Sequence, residues 1–261
     1  MTRARSTLLT VAVGVTLLAL WEIAVDALGL PSYILPAPSA VVLALMRGVQ
    51  RGIYPIHLMA TLSAMLSGYA IGTVLGIVLG AAVAEAKILE RLLLPYVVTL
   101  QSVPKIALAP LFVMWFGYGL SSKVVMVSLM CFFPLMVNTM TGLLSADRDR
   151  IDMLRAMTAT RWQVFRYVKL PSAAGHIFAG LQVAVALALI ATLVAEFVGS
   201  DYGLGNLIEA SQAALDTAGM FAVLVILAAI GLISTSLVRW AHRRVVFWER
   251  AESSALPETD A

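Results

Sequence analysis

The polar side chains of this chain concentrate in one stretch, Ser145–Pro171, reading SADRDRIDMLRAMTATRWQVFRYVKLP. It holds six of the eighteen basic residues: Arg148, Arg150, Arg155, Arg161, Arg166 and Lys169. Cations interleaved with Trp162 and Phe165 are groups for gripping another macromolecule, not for breaking bonds. Elsewhere polar residues stand singly inside apolar runs: Gln101, Ser102, Lys105, Asn138, Gln182 and Glu196. Such residues either hydrogen-bond neighbouring helices or line a polar route through a membrane. There is no GxxxxGK[ST] phosphate loop, no HExxH and no GxSxG. Cys131 is the single cysteine, and His57, His176 and His242 are scattered, which speaks against an internal disulfide or a Cys/His metal site. The chain therefore reads as neither a nucleotide hydrolase nor a membrane enzyme.

Within the island, Asp147 is placed to N-cap a helix running to about Met157. Ile151, Leu154 and Met157 recur on one side of it, with Arg148, Asp152 and Arg155 on another. Thr160 followed three residues on by Gln163 is a capping-box pattern that starts a second helix. Trp162, Phe165 and Val168 form its apolar ridge. Pro171 lacks an N–H and crowds the preceding turn, so this helix is expected to stop there. The island is then two short amphipathic helices joined at Thr158–Thr160. Charge alone fits a solvated basic loop beside a membrane equally well; the paired start signals with Trp162 and Phe165 favour a docking surface.

The elements that must position these residues are membrane spans. Sixty-one per cent of the residues are hydrophobic and 13% charged, with a formal net charge of +3, a composition foreign to a soluble domain. The expected fold is all-α, a polytopic helical membrane protein with six transmembrane helices. The spans fall at about 8–28, 58–84, 92–120, 124–144, 174–198 and 218–238. An uncleaved first span is preferred over a signal peptide, with Trp21 as an interfacial anchor. Glu22 and Asp26 share one face of it. Between the first two spans, Ser39 is expected to cap a short helix through Arg51. Gly68, Gly72, Gly76 and Gly80 recur every four residues, a smooth stripe that lets another helix approach closely, within this chain in preference to across a dimer. The third span is interrupted by Pro95, Pro104, Lys105 and Pro110.

With the N-terminus inside, fifteen basic residues fall on the inner side and three, Arg47, Arg51 and Lys123, on the outer. That bias puts both termini and the island in the cytoplasm. Residues 1–250 form a single transmembrane domain, and 251–261 a disordered cytoplasmic tail.

The island also resembles the cytoplasmic loop of permeases of bacterial ABC importers, of the form EAA, three residues, G, nine residues, I-x-LP. Aligned on Leu170–Pro171, Val168 stands for the Ile, Thr158 for the Gly and Asp152-Met153-Leu154 for the EAA. The spacing and the LP hold; the alanine pair and the glycine are not kept. Threonine at 158 is strained if the family glycine has a positive φ, or else the turn is built differently, with Thr160 as cap. LPAPSAV (35–41), SVPKIALAPLFVMWFGYGLSSK (102–123), FFPLMVNT (132–139) and LVAEFVGSDYGLGNLI (193–208) are similar to the nitrate/sulfonate/taurine branch, which includes riboflavin and pyrimidine-precursor importers. The likeness covers nearly the whole chain.

The resemblance implies a multi-pass permease of the bacterial inner membrane, acting as a homodimer with two cytoplasmic ATPase subunits and an extracytoplasmic solute-binding protein. No cofactor is expected in this chain, since ATP and Mg would be bound by the partner ATPase. Asp152, Arg155, Thr158, Ala159, Leu170 and Pro171 carry over as ATPase-facing; Leu154, Trp162 and Phe165 join them as anchors. Gln101, Asn138, Gln182 and Glu196 are candidates for the translocation path. The solute is expected to be a small organic molecule or an oxyanion. The rival reading is a self-sufficient secondary transporter or channel, which would need an intramembrane coupling site and leaves the island unexplained.

Overall fold

The computed structural model describes residues 3–248; the expected tail at 251–261 lies outside them. The described chain is helical, without a strand. Its helices are α1 (Arg3–Ala27), α2 (Pro38–Gln50), α3 (Tyr54–Glu85), α4 (Lys87–Ser102), α5 (Ala109–Phe116) and α6 (Leu120–Leu144), then α7 (Arg148–Ala156), α8 (Arg161–Val164), α9 (Leu170–Val198), α10 (Leu204–Ala213) and α11 (Thr217–Val245). Five helical stretches are long and apolar enough to cross a membrane, and a sixth is obtained if α4 and α5 together form one broken span. The chain divides into two compact units, residues 1–61 with 201–229 and residues 62–200 with 230–261.

In the first unit, α2 starts at Pro38, whose missing N–H costs nothing at that position. Ser39 does not cap it, contrary to expectation. Its N–H and its hydroxyl instead both donate to the Glu22 carboxylate of α1. A helix start leaves backbone N–H groups unpaired, and a carboxylate from a neighbouring helix meets both that need and the dipole. This accounts for an acid inside the apolar α1. Trp21, expected as an interfacial anchor, packs its ring 5.8 Å from that of Phe221. Val41 and Ala44 of α2 bury against Ala222 of α11. The Thr61 hydroxyl accepts from the Leu204 N–H and so fixes the start of α10.

In the second unit the glycine row faces α6. A Cβ built on Gly68 would lie 2.5 Å from Val127 Cβ, one on Gly72 2.5 Å from the Ser128 carbonyl oxygen, one on Gly76 2.7 Å from the Phe132 carbonyl oxygen, and one on Gly80 2.6 Å from the Met136 carbonyl oxygen. Backbone meets backbone, which only glycine permits. Both sets of numbers rise together, so α3 and α6 run parallel. The chain between them must therefore return across the same thickness, which gives α4 and α5 the role of a span. They do so bent by 78°. Pro104 is the cause. It holds Val103 extended (φ −68°, ψ 129°) and removes an N–H, so the third span, read from the sequence as interrupted by prolines, breaks there. A short 3₁₀ turn, Lys105–Leu108, carries the bend.

Against the other side of α6 lies α9, antiparallel and in extensive contact with it. Gly142 meets Ala173 and His176, and Gly180 meets Asn138. Further along, the Cys131 thiol lies 3.4 Å from the Ala184 carbonyl, and the Tyr69 hydroxyl of α3 donates to the Leu181 carbonyl. Three helices thus share one core around Leu135, Ala173 and Ala188, all fully buried.

Candidate functional site

The island starts as its sequence dictates. Asp147 caps α7, its carboxylate accepting from the Asp149 N–H at 2.9 Å. The capping box is complete: the Thr160 oxygen accepts from the Gln163 N–H at 3.3 Å, and the Gln163 side-chain oxygen accepts from the Thr160 N–H at 2.7 Å. Between them Thr158 has φ +63°, the left-handed region that β-branched residues rarely enter. The turn therefore keeps a glycine-like conformation with threonine in it, and Thr160 caps the next helix as well.

The second island helix does not stop at Pro171. Arg161–Val198 is one continuous 38-residue helix. The proline is accommodated by a π-helical turn at Phe165–Lys169, where the Leu170 N–H reaches back five residues to the Phe165 carbonyl. A widened turn immediately before a proline relieves the crowding that its ring would impose on a regular α-helical turn. The second island helix and a membrane span are consequently the same helix.

The two sides of the island differ. Val164 and Val168 are buried, and Phe165 packs on the cluster formed by Val83, Phe133 and Met140. The Lys169 ammonium lies 2.6 Å from the Glu85 carboxylate at the end of α3. On the other side Met153, Met157 and Trp162 are 59, 71 and 64% exposed. Asp152 and Arg155 pair at 3.4 Å beside them, both exposed. Trp162 stacks on Phe165 with ring centroids 5.5 Å apart, so an exposed ring is propped by an anchored one. Leu154, Ala159 and Pro171 are half-buried, whereas Thr158 and Leu170 are exposed. Neither Met153 nor Met157 was among the expected contacts, although their spacing of four residues puts them on one face of α7 and its C-cap. A cavity of about 330 Å³ adjoins the island, lined by Asp147, Arg150, Tyr167, Pro171 and, from beyond α11, Trp248. Nothing in the sequence pattern linked Trp248 to the island.

The four expected path residues are not gathered into one site. Gln101 is exposed at the end of α4, where its carbonyl accepts from the Lys105 ammonium at 3.1 Å. That ammonium also lies 4.9 Å from the centre of the Phe133 ring. The Asn138 amide donates to the Pro134 carbonyl one turn back, at 2.8 Å. Gln182 is half-buried on α9. Glu196 is 0% exposed, in the last turn of α9. Lys123, counted from the sequence among outward-facing cations, is 5% exposed and donates to the Ser200 hydroxyl. The antiparallel packing of α6 on α9 brings it to the end of α9 that carries Glu196.

Spans in a parallel and antiparallel bundle, with an amphipathic segment continuous with one of them, are the architecture of a multi-pass helical membrane protein. Residues 72–247 match the family described as binding-protein-dependent transport system inner membrane component, and the chain belongs to that family. It is the permease subunit of an ABC importer and a multi-pass protein of the bacterial inner membrane. The riboflavin transport system permease protein RibX of Chloroflexus aurantiacus is 40% identical, over 89% of this chain and 87% of its own length. The formylaminopyrimidine transport permease protein ThiX of Halalkalibacterium halodurans is 34% identical, over 90 and 94%. Among solved structures, an inward-facing conformation of the MetNI methionine ABC transporter shares the fold, with a TM-score of 0.60 at 23% identity over 73% of this chain and 93% of that one. Family membership implies an ATPase and a binding protein as partners.

Proposed function

We propose that the exposed face of Met153, Met157 and Trp162, with Asp152, Arg155 and Thr158 around it, is the seat of a cytoplasmic ATPase. The observation that carries this reading is the continuous helix from Arg161 to Val198. A force applied at Trp162 reaches the membrane without crossing a loop, and the tie from Lys169 to Glu85 passes it to α3 as well. Closure of two ATPase subunits on ATP then draws two copies of this chain together and rocks the spans, a rigid-body transition. In this reading the permease is a homodimer with both termini cytoplasmic. ATP and Mg are bound by the ATPase and not by this chain. Leu154, Ala159, Phe165, Leu170 and Pro171 support the seat from behind.

An extracytoplasmic binding protein delivers the solute, a small organic molecule. Relatives named for riboflavin and formylaminopyrimidine support a heterocyclic one. Gln101, Asn138 and Gln182, exposed or half-buried in the single chain, remain the groups available to a path. Glu196 has no exposed surface to offer one and is read as part of the packing at the α9 end.

The test is purification of the tagged chain from its native membrane. Wild type is expected to bring down an ATPase that carries a phosphate loop. Met157→Ala with Trp162→Ala should reduce recovery at least about tenfold, as loss of a central anchor does, with membrane insertion and thermal stability unchanged. Undiminished recovery from the variant overturns the seat. Transport by the chain alone in liposomes without ATP would favour a self-sufficient carrier.

A further inference from the structure

The C-terminal half of α11 keeps two faces apart. Ser234, Val238, Ala241 and His242 recur on one side and are half-buried. The His242 ring stacks on Phe178 of α9, with centroids 4.8 Å apart. Leu232, Ile233, Leu237 and Trp240 fall on the other side and are 60–67% exposed. They surround Ser236, a short side chain among long ones, and with it line an open groove of about 520 Å³. From Leu232 to Trp240 the groove follows the helix axis for about 12 Å, within the ~15 Å depth of one leaflet's chains. Neither the ATPase seat nor the path residues use it.

The groove ends in cations. Leu232, Ser236, Trp240 and Arg244 stand four residues apart and form one row on the helix surface. Arg239 and Arg243 lie in the row beside it, and the three arginines are exposed. The Arg244 guanidinium carbon lies 5.6 Å from the centre of the Trp240 ring, an attraction that holds it beside the groove. The Arg239 guanidinium donates to the Ser236 hydroxyl at 3.4 Å. Among the described residues no carboxylate pairs with any of the three. Cations that only marked the end of a span would need no particular side of the helix. Here they share the side of the groove, while His242, at the same depth, faces the protein.

What fills this groove must be apolar along its length and anionic at one end. A second copy of the chain does not meet that need. Two copies inserted the same way round and related by a two-fold axis would meet here like residue to like residue, arginines against arginines. A soluble anion would leave the apolar groove without a role.

We propose that the groove takes an acyl chain of an anionic phospholipid, with the lipid phosphate held by Arg243 and Arg244. Guanidiniums give phosphate oxygens charge-assisted hydrogen bonds. The Trp240 ring then lies at the boundary between chain and headgroup, where amphipathic rings settle. Arg239 adds charge from the edge.

The experiment is native mass spectrometry of the full-length chain in detergent, titrated with phosphatidylglycerol and with phosphatidylcholine of the same chain length. The readout is the ratio of the two lipids retained, because partial unfolding lowers both together. Wild type is expected to prefer phosphatidylglycerol about tenfold, and Arg243→Gln with Arg244→Gln to bring the ratio within about twofold of one. Ser236→Trp fills the hollow and should lower retention of both lipids about fivefold with the thermal midpoint unchanged. Arg47→Gln with Arg51→Gln, exposed cations of α2, should leave the ratio as in wild type. A wild type without preference, or a ratio indifferent to Arg243 and Arg244, overturns the site; so does an equal loss from the α2 variant, which would mean diffuse attraction. Glycerol phosphate displacing phosphatidylglycerol as well as a chain-bearing lipid does would overturn the part given to the acyl chain. Efficient disulfide cross-linking of Ser236→Cys between copies in native membranes would overturn the lipid as occupant and give the face to a second copy.

Discussion

Along α3 and α6 the backbones touch at four successive glycines, whereas the island between α6 and α9 is held at separate points by caps, an ion pair to the end of α3 and the half-buried ring of Phe165. In the first region the contact runs the length of the helices and contains no charge. Its geometry follows from what is missing, namely four side chains. In the second, each tie is a particular polar group, and between the ties Met153, Met157 and Trp162 are left facing outward. The first region leaves no room for displacement, and the second is where the proposed ATPase seat would apply force. The difference predicts how substitutions divide: in the bundle they abolish the fold, and in the island they change coupling while the fold survives.

The largest effect is expected at Gly72. A Cβ there sits 2.5 Å from the Ser128 carbonyl oxygen and 3.0 Å from its Cα. Neither atom can rotate away, so α3 and α6 must separate. Overpacking usually costs about 1–3 kcal/mol, and more where backbone blocks relaxation. Gly72→Leu should therefore exceed about 3 kcal/mol and give no monodisperse protein in detergent. If gel filtration and thermal unfolding of that variant match wild type, the glycine row is not a tight backbone contact.

In the island the capping box comes next. Thr160→Ala removes one acceptor and should cost about 1 kcal/mol locally. Hydrogen exchange at 160–164 should speed up roughly fivefold, with exchange in α6 unchanged. Equal acceleration in both would mean that the island and bundle unfold together and that the contrast between them is false.

These regions also differ in how far the sequence revealed them. The glycine row and the Thr160–Gln163 box are local patterns with fixed spacing, and the helices they specify stand where the spacing puts them. Pro171 misled because a proline read alone stops a helix. The compensating π turn depends on a bond between Phe165 and Leu170 that no residue type announces. The role of Glu22 was hidden for another reason: its partner Ser39 is seventeen residues away, across a turn. Lys123 read as a surface cation because it follows a glycine-rich turn, yet the packing of α6 on α9 buries it. Periodicity exposes what neighbours in sequence do. Pairings between elements stay silent until the elements are placed.

A smaller effect tests whether the island's ties act together. Lys169 and Glu85 are 20 and 37% exposed, so solvent screens their attraction and the pair contributes under about 1 kcal/mol. A cycle of Lys169→Gln, Glu85→Gln and the double variant should give a coupling of about 0.5 kcal/mol in thermal stability. ATP consumed per solute moved should rise in each single variant. Loss of stability without a change in that ratio would make the pair a brace for the fold and not a link for force.

One further change is expected to have the opposite sign. Thr158 holds φ +63° while its hydroxyl reaches only the neighbouring Met157 carbonyl, at 2.7 Å. A β-branched residue in this region is strained by about 1–3 kcal/mol. Glycine would remove the strain but gains freedom in the unfolded chain, which returns about 0.5–1 kcal/mol. Thr158→Gly should therefore stabilise by roughly 0.5–1 kcal/mol, read as a higher thermal midpoint with slower exchange in α7. If stability falls instead, the hydroxyl contact outweighs the strain, and threonine is there to hold the turn closed. If stability rises and uptake falls, the strain itself keeps the joint between α7 and α8 ready to yield, and the island's tolerance of displacement resides in this one residue.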